Sequence, residues 1–247
     1  MKRFIMVIFV LALIIFVGCS KKESNEYNIK EETVLQYEDV KNGDIVAEIV
    51  VENYGSIKIK LFKEKAPKAV ENFVTHSKNG YYDGSAFNKV VKDFIIQAGR
   101  PAEAEGEGES IWGEAFEDET DNGLYPVRGA LCMANTGENT NASQFFIVTT
   151  TAEKLEEIEY LLENGKKVTF ASYISQAYGR NLSEELLEMF FENGGAPWLT
   201  GYHTVFGQVY EGMDIVDKIS EAAVVEGTST TIDKIIIEKI IITEISE

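Results

Sequence analysis

The stretch Ile45-Val46-Ala47-Glu48-Ile49-Val50-Val51-Glu52-Asn53-Tyr54-Gly55-Ser56-Ile57-Lys58-Ile59-Lys60-Leu61-Phe62 decides the architecture. Ile45 to Glu52 and Ile57 to Phe62 are β-branched runs, and the four residues between them include Asn53 and Gly55, so the segment reads as a β-hairpin. Downstream, Pro67 opens a helix in which Val70, Phe73, Val74 and Ser77 share one face, and Asn79-Gly80 stops it. At the far end, Ile232 to Ile245 is a β-branched run long enough to return the chain to the sheet. Many short strands, few helices and Gly-bearing turns predict a mainly β domain over residues 45–245, a barrel or a sandwich.

Between Ala152 and Gly195 the pattern changes. Leu155, Ile158 and Leu162 repeat at helical spacing before Asn164-Gly165, and Leu186, Leu187, Phe190 and Phe191 do so before Asn193-Gly194, which predicts a helical segment inserted at about 152–195. Residues 19–44 are polar, rich in Lys, Glu and Asn, with little apolar periodicity, the composition of a tether. The first residues read as an export signal. Lys2 and Arg3 precede an unbroken apolar run from Phe4 to Val17, shorter than the about 20 residues a membrane-spanning helix needs. The run ends in Phe16-Val17-Gly18-Cys19-Ser20, which resembles the lipobox of bacterial lipoproteins. Residues 1–18 are therefore expected to be removed, and lipid on Cys19 to hold the protein at the extracytoplasmic face of a bacterial cell membrane.

Composition excludes several function classes. The chain carries a net charge of −18 and offers no basic patch for phosphates, so nucleic acid is not an expected partner. With Cys19 assigned to lipid, Cys132 has no disulfide partner and lies in the small apolar run Ala130-Leu131-Cys132-Met133-Ala134, where a free Cys packs. The two histidines, His76 and His203, are far apart and have no neighbouring Cys, so no metal site is expected. Glu103 to Glu109 alternates acid with Gly and Ala but lacks the spaced ligands of a calcium loop. Ser143 is not flanked by the glycines of a hydrolytic nucleophile elbow.

Three separated blocks carry a more specific signal. The first is Phe87-Asn88-Lys89-Val90-Val91-Lys92-Asp93-Phe94-Ile95-Ile96-Gln97-Ala98-Gly99. The second begins at Ile111-Trp112-Gly113-Glu114-Ala115-Phe116-Glu117-Asp118-Glu119, passes through Met133-Ala134-Asn135 and ends in Asn139-Thr140-Asn141-Ala142-Ser143-Gln144-Phe145-Phe146-Ile147. The third is Trp198-Leu199-Thr200-Gly201-Tyr202-His203-Thr204-Val205-Phe206-Gly207-Gln208-Val209. In this order they resemble the cyclophilins, with the helical insertion between the second block and the third. The resemblance implies a closed β-barrel with flanking helices and a cofactor-free peptidyl-prolyl cis-trans isomerase acting on unfolded or Pro-containing polypeptides.

Isomerisation of an Xaa-Pro bond is slow because rotation breaks amide resonance, a barrier of roughly 18–20 kcal/mol. No covalent step is needed; a catalyst must bind the twisted amide more tightly than either planar form. The resemblance implies that Phe94, Phe146 and Leu199, with Ile95 beside them, form the proline socket and that His203 is part of its wall. It places Asn135, through its backbone, with Gln97 and Gln144 along the rest of the peptide, next to Ala134 and Trp198. A cationic donor to the proline nitrogen completes the set. The family has Arg there, and this chain has Lys89. An ammonium is a compact point charge without the planar fork of a guanidinium, so reduced activity is expected. The rival reading is a catalytically weak or inactive module that binds Pro-containing peptides as a chaperone.

Overall fold

The computed structural model describes residues 26–28, 35–101, 108–157, 160 and 166–246. In chain order the strands are β1 (Glu26–Tyr27), β2 (Ile45–Val51), β3 (Gly55–Leu61), β4 (Ala86–Phe87), β5 (Lys89–Val91), β6 (Ile95–Ala98), β7 (Ala130–Met133), β8 (Phe145–Val148), β9 (Asn181–Leu182), β10 (Val205–Glu211) and β11 (Ile235–Glu244). The helices are α1 (Pro67–Lys78), α2 (Ala152–Glu157), α3 (Phe170–Tyr178), α4 (Glu184–Asn193) and α5 (Met213–Ser220), with a 3-10 turn at Pro197–Leu199.

Nine strands form one antiparallel sheet in the order β4-β11-β2-β3-β10-β7-β8-β6-β5. Its two end strands flank a single residue, Asn88, whose N–H bonds the Gln97 carbonyl at 3.1 Å, so the chain itself joins the edges into a nearly closed barrel. Closure removes the exposed edges that an open sheet would have to protect.

The expected hairpin is β2–β3, paired from Ile45↔Leu61 to Val51↔Gly55. Alternation along the strands divides the apolar residues between two faces. Ile59, Ile96, Leu131, Phe145 and Ile147 fill the interior, whereas Ile95, Cys132, Phe146, Val148 and Val205 form a second cluster on the outer face. Cys132 is fully buried in that outer cluster, and burial pushes its thiol far above the usual range, which keeps it protonated and inert.

α1 closes one end of the barrel. Pro67 stands in its first turn, and Val70, Phe73 and Ser77 are buried. Phe73 meets Phe145 edge-on at 5.3 Å and Phe206 at 5.5 Å. Its first turn carries no acid of its own; the Glu119 carboxylate, from a distant loop, accepts the N–H groups of Lys68 and Ala69. A negative group on these unpaired N–H groups also complements the helix dipole. α5 packs Val216 and Ile219 into the same interior.

The insertion is helical, as the spacing predicted: α2, α3 and α4 lie within it, and Leu186 and Phe190 of α4 pack on the outer-face cluster. Ile158 and Leu162 lie outside the described residues. The stretch read as a tether differs where it is described. Gln36 is 5% exposed; its amide donates to the Tyr125 carbonyl and to Gln208 Oε1 and accepts the Tyr125 N–H. β1 pairs in parallel with β9 of the insertion, and Asp44 pairs with Lys60 at 3.2 Å. Residues 26–28 and 35–44 are thus bound to the folded body, β1 by strand pairing, Gln36 through the Tyr125 backbone and Asp44 by its ion pair. The export signal and Cys19 lie outside the described residues.

Candidate active site

Strand register assembles the centre of the site. Lys89 of β5 lies opposite Gln97 of β6, Gln97 opposite Phe146 of β8, Phe146 opposite Cys132 of β7, and Cys132 opposite Val205 of β10. Directly opposed residues project to the same face of a sheet. Their chain neighbours Ile96, Phe145 and Leu131 fill the interior, so this row faces outward. It runs from an exposed ammonium at Lys89, through the half-buried amide of Gln97, to the buried ring of Phe146.

The remaining candidates gather around that row. Gln97 Nε2 donates to Gln144 Oε1 at 3.0 Å. The His203 ring meets Phe146 edge-on at 5.1 Å, and its Nδ1 lies 3.0 Å from the Met133 carbonyl. A carbonyl only accepts, so Nδ1 carries the proton and Nε2 keeps its lone pair. Phe94 ends the tight turn between β5 and β6, its ring 5.6 Å from that of Trp198. Phe94, Ile95, Ala134, Phe146, Trp198 and Leu199 belong to one apolar cluster. Ala134 N–H bonds the Gln144 carbonyl at 2.9 Å. Asn135 uses its side-chain amide within the protein, donating to Asp118 Oδ1 at 3.2 Å and to the Tyr202 carbonyl at 3.1 Å. Every candidate on the barrel is therefore brought to one outer face.

The sequence reading assigned no role to Asp118, which organises one rim. Its carboxylate accepts from the side chains of Asn135 and Asn141 and from the Asn139 N–H at 2.8 Å. It lies in the second sequence block, but nothing in the spacing shows that loops 17 to 23 residues apart converge on it. Tyr202 was likewise missed; its carbonyl takes the Asn135 amide one residue before His203.

Burial holds the His203 imidazole below its usual range, against the opposing pull of the Met133 carbonyl and Asp118, with the Lys89 charge adding to the depression. His76 is lowered too, burial outweighing its bond to the Glu109 carbonyl. Both are neutral at pH 7 in the fold, and both gain protons more readily once the chain unfolds. As pH falls below the ordinary imidazole value, about 6.5, the unfolded chain binds protons that the folded one does not, so stability is lost. The urea midpoint is expected to be level between pH 8 and 7 and to fall between pH 6.5 and 5.5, with His76→Gln reducing the drop. A midpoint unchanged down to pH 5.5 contradicts this account.

Fold and site together define a cyclophilin-type barrel. The family model described as cyclophilin type peptidyl-prolyl cis-trans isomerase/CLD matches residues 46–242. A Staphylococcus saprophyticus protein named "Putative peptidyl-prolyl cis-trans isomerase" is 42% identical over 183 residues, covering 74% of this chain and 85% of that protein. A Staphylococcus aureus protein of the same name is 43% identical over 186 residues, covering 75% and 86%. A crystal structure of a cyclophilin type peptidyl-prolyl cis-trans isomerase from Cryptosporidium parvum, 30% identical, superposes with a TM-score of 0.60 over 82% of this chain and 99% of that one. A second structure of the Cryptosporidium protein was determined in the presence of the dipeptide Ala-Pro; it has a TM-score of 0.59. The chain belongs to the cyclophilin-type peptidyl-prolyl cis-trans isomerases, and its activity is peptidyl-prolyl isomerisation.

Proposed function

We propose that this isomerase acts on Xaa-Pro bonds of proteins exported across a bacterial membrane, assisting their folding from a lipid anchor at Cys19. The observation that carries the site reading is the outward-facing row of Lys89, Gln97 and Phe146 with His203 set against the Phe146 ring. In this reading the proline ring enters the socket of Phe94, Ile95, Phe146, Leu199 and His203. Ala134 and Trp198 border it. The Asn135 backbone, whose side chain is engaged by Asp118 and Tyr202, holds the peptide together with Gln97 and Gln144.

With the ring fixed, the amide on its N-terminal side rotates. Lys89 donates one charged hydrogen bond to the proline nitrogen as it becomes pyramidal, an interaction that the planar ground state does not offer. The crystal structure of the Cryptosporidium relative in the presence of the dipeptide Ala-Pro supports reading the site as a proline socket. Proline isomerisation takes tens of seconds uncatalysed, long enough to limit folding of an emerging chain.

The folding role is tested by following the slow, proline-limited refolding phase of an exported protein. Catalytic amounts of this protein are expected to shorten that phase; an unchanged phase, at concentrations that isomerise a short peptide, removes the folding role. The anchor is tested by metabolic labelling with a fatty acid. The wild type is expected to incorporate label and Cys19→Ala to incorporate none. A lipoprotein Cys carries more than one acyl chain, and a single chain binds membranes only marginally. Equal labelling of both sinks the lipoprotein reading.

A further inference from the structure

The loop from Pro197 to His203 carries Leu199 and His203 to the socket, yet it lies outside the strand ladder, beginning with the 3-10 turn and ending just before β10. The carbonyls of Thr200 and Gly201 both find donors on one side chain from the insertion. Arg180, which follows α3, places its Nε 2.9 Å from the Thr200 carbonyl and one terminal nitrogen 3.5 Å from that of Gly201. Its guanidinium carbon stands 4.0 Å from the centre of the Tyr202 ring, and Tyr202 Oη donates to the Tyr178 carbonyl at 3.1 Å. Tyr27 of β1 also lies beside it, its ring centre 5.9 Å from the Arg180 guanidinium carbon. Gly201 has φ +74, and a Cβ there would stand 2.2 Å from Tyr27 Oη, so the segments are in close contact.

We propose that Arg180 is a positioning residue of the isomerase site, bracing the 197–203 loop so that Leu199, His203 and the Tyr202 carbonyl are preset for substrate. The Tyr202 carbonyl in turn holds the Asn135 amide, so the brace reaches both rims of the socket. Physically, an unbraced loop must be ordered when peptide binds, which subtracts from affinity. A guanidinium suits the task because it is flat enough to lie on a ring while its edge donates to two carbonyls; an ammonium supplies one bond and no flat face. The inference rests on the reading of Leu199 and His203 as socket walls, and it gives the insertion a part in the site instead of leaving it a separate packed surface.

The test uses the full chain, in detergent, with Trp112→Phe as the background so that Trp198 is the only indole reporter. Trp112 is 43% exposed, against Phe116, and has no place in the site. Arg180→Ala is expected to lower kcat/KM on an Ala-Pro peptide about three- to tenfold, mainly through KM, the size expected from one or two side chains ordered on binding. Its free-state Trp198 emission is expected to shift to the red and to return on saturation with peptide, and Arg180→Lys to recover part of the affinity. Unchanged KM and emission in a folded Arg180→Ala overturn the brace. A lower melting temperature with unchanged KM overturns it too, since Arg180 would then be structural only. If the wild type binds peptide but does not isomerise it, the catalytic reading fails, while peptide Kd and Trp198 emission still decide the brace. If it binds none, both fail.

Discussion

Lys89→Ala is expected to slow catalysed isomerisation by about ten- to a hundredfold, the equivalent of one charge-assisted hydrogen bond of roughly 1.5–3 kcal/mol lost from the transition state. Peptide affinity is expected to change little, because the bond forms only as the proline nitrogen becomes pyramidal. Lys89 lies directly across from Gln97 on the β5–β6 hairpin, exposed, with its charge close enough to act on His203. Lys89→Arg is expected to raise the rate. The guanidinium fork can address the substrate and the Gln97 amide oxygen at once, which fixes the charge in place. Rates and binding constants for the three proteins on one Xaa-Pro peptide decide it. Wild-type catalysis that is indifferent to Lys89→Ala removes the residue from the mechanism.

Phe146→Ala is expected to damage both folding and binding. From the sequence, the ring reads as a socket wall whose loss weakens affinity more than stability. The structure assigns it more: Phe146 is 2% exposed and packs in the outer-face cluster with Cys132 on the adjoining strand. Removing a buried Phe side chain costs about 3–5 kcal/mol. A fold that survives this loss is expected to retain little affinity for Xaa-Pro peptides, since the His203 ring loses the edge contact that sets its orientation. Urea denaturation and calorimetric titration separate the two effects. Full stability with lost affinity places the ring wholly in the socket, and lost stability with normal affinity places it wholly in the core.

The β2–β3 hairpin, α1 and the closing strand β11 were legible because each is a local pattern: alternation, a Pro start and a β-branched run. β11 begins at Ile235, three residues inside the predicted run, because Ile232 lies in the preceding loop, where its N–H bonds the Ala223 carbonyl. The residues assigned to the site were singled out by three blocks, but their arrangement was not legible. That Lys89, Gln97 and Phe146 form one row depends on the register of three strands, and a one-residue slip would turn each side chain to the opposite face. What the sequence did not reveal rests on single side chains reaching far along the chain. Gln36 bonds Tyr125 and Gln208, 89 and 172 positions away, and Arg180 reaches the loop after the insertion. Such contacts leave no period, and a polar segment that uses them reads as a tether.

The outer-face site is expected to catalyse isomerisation with no cofactor added. Exchange NMR on a short Ala-Pro peptide tests it most directly, with the protein at catalytic concentration and no other component. The account predicts cis-trans exchange far faster than the uncatalysed tens of seconds, saturating with peptide and slowed in Lys89→Ala. Peptide that binds, shifting its resonances, while exchanging at the uncatalysed rate would contradict it.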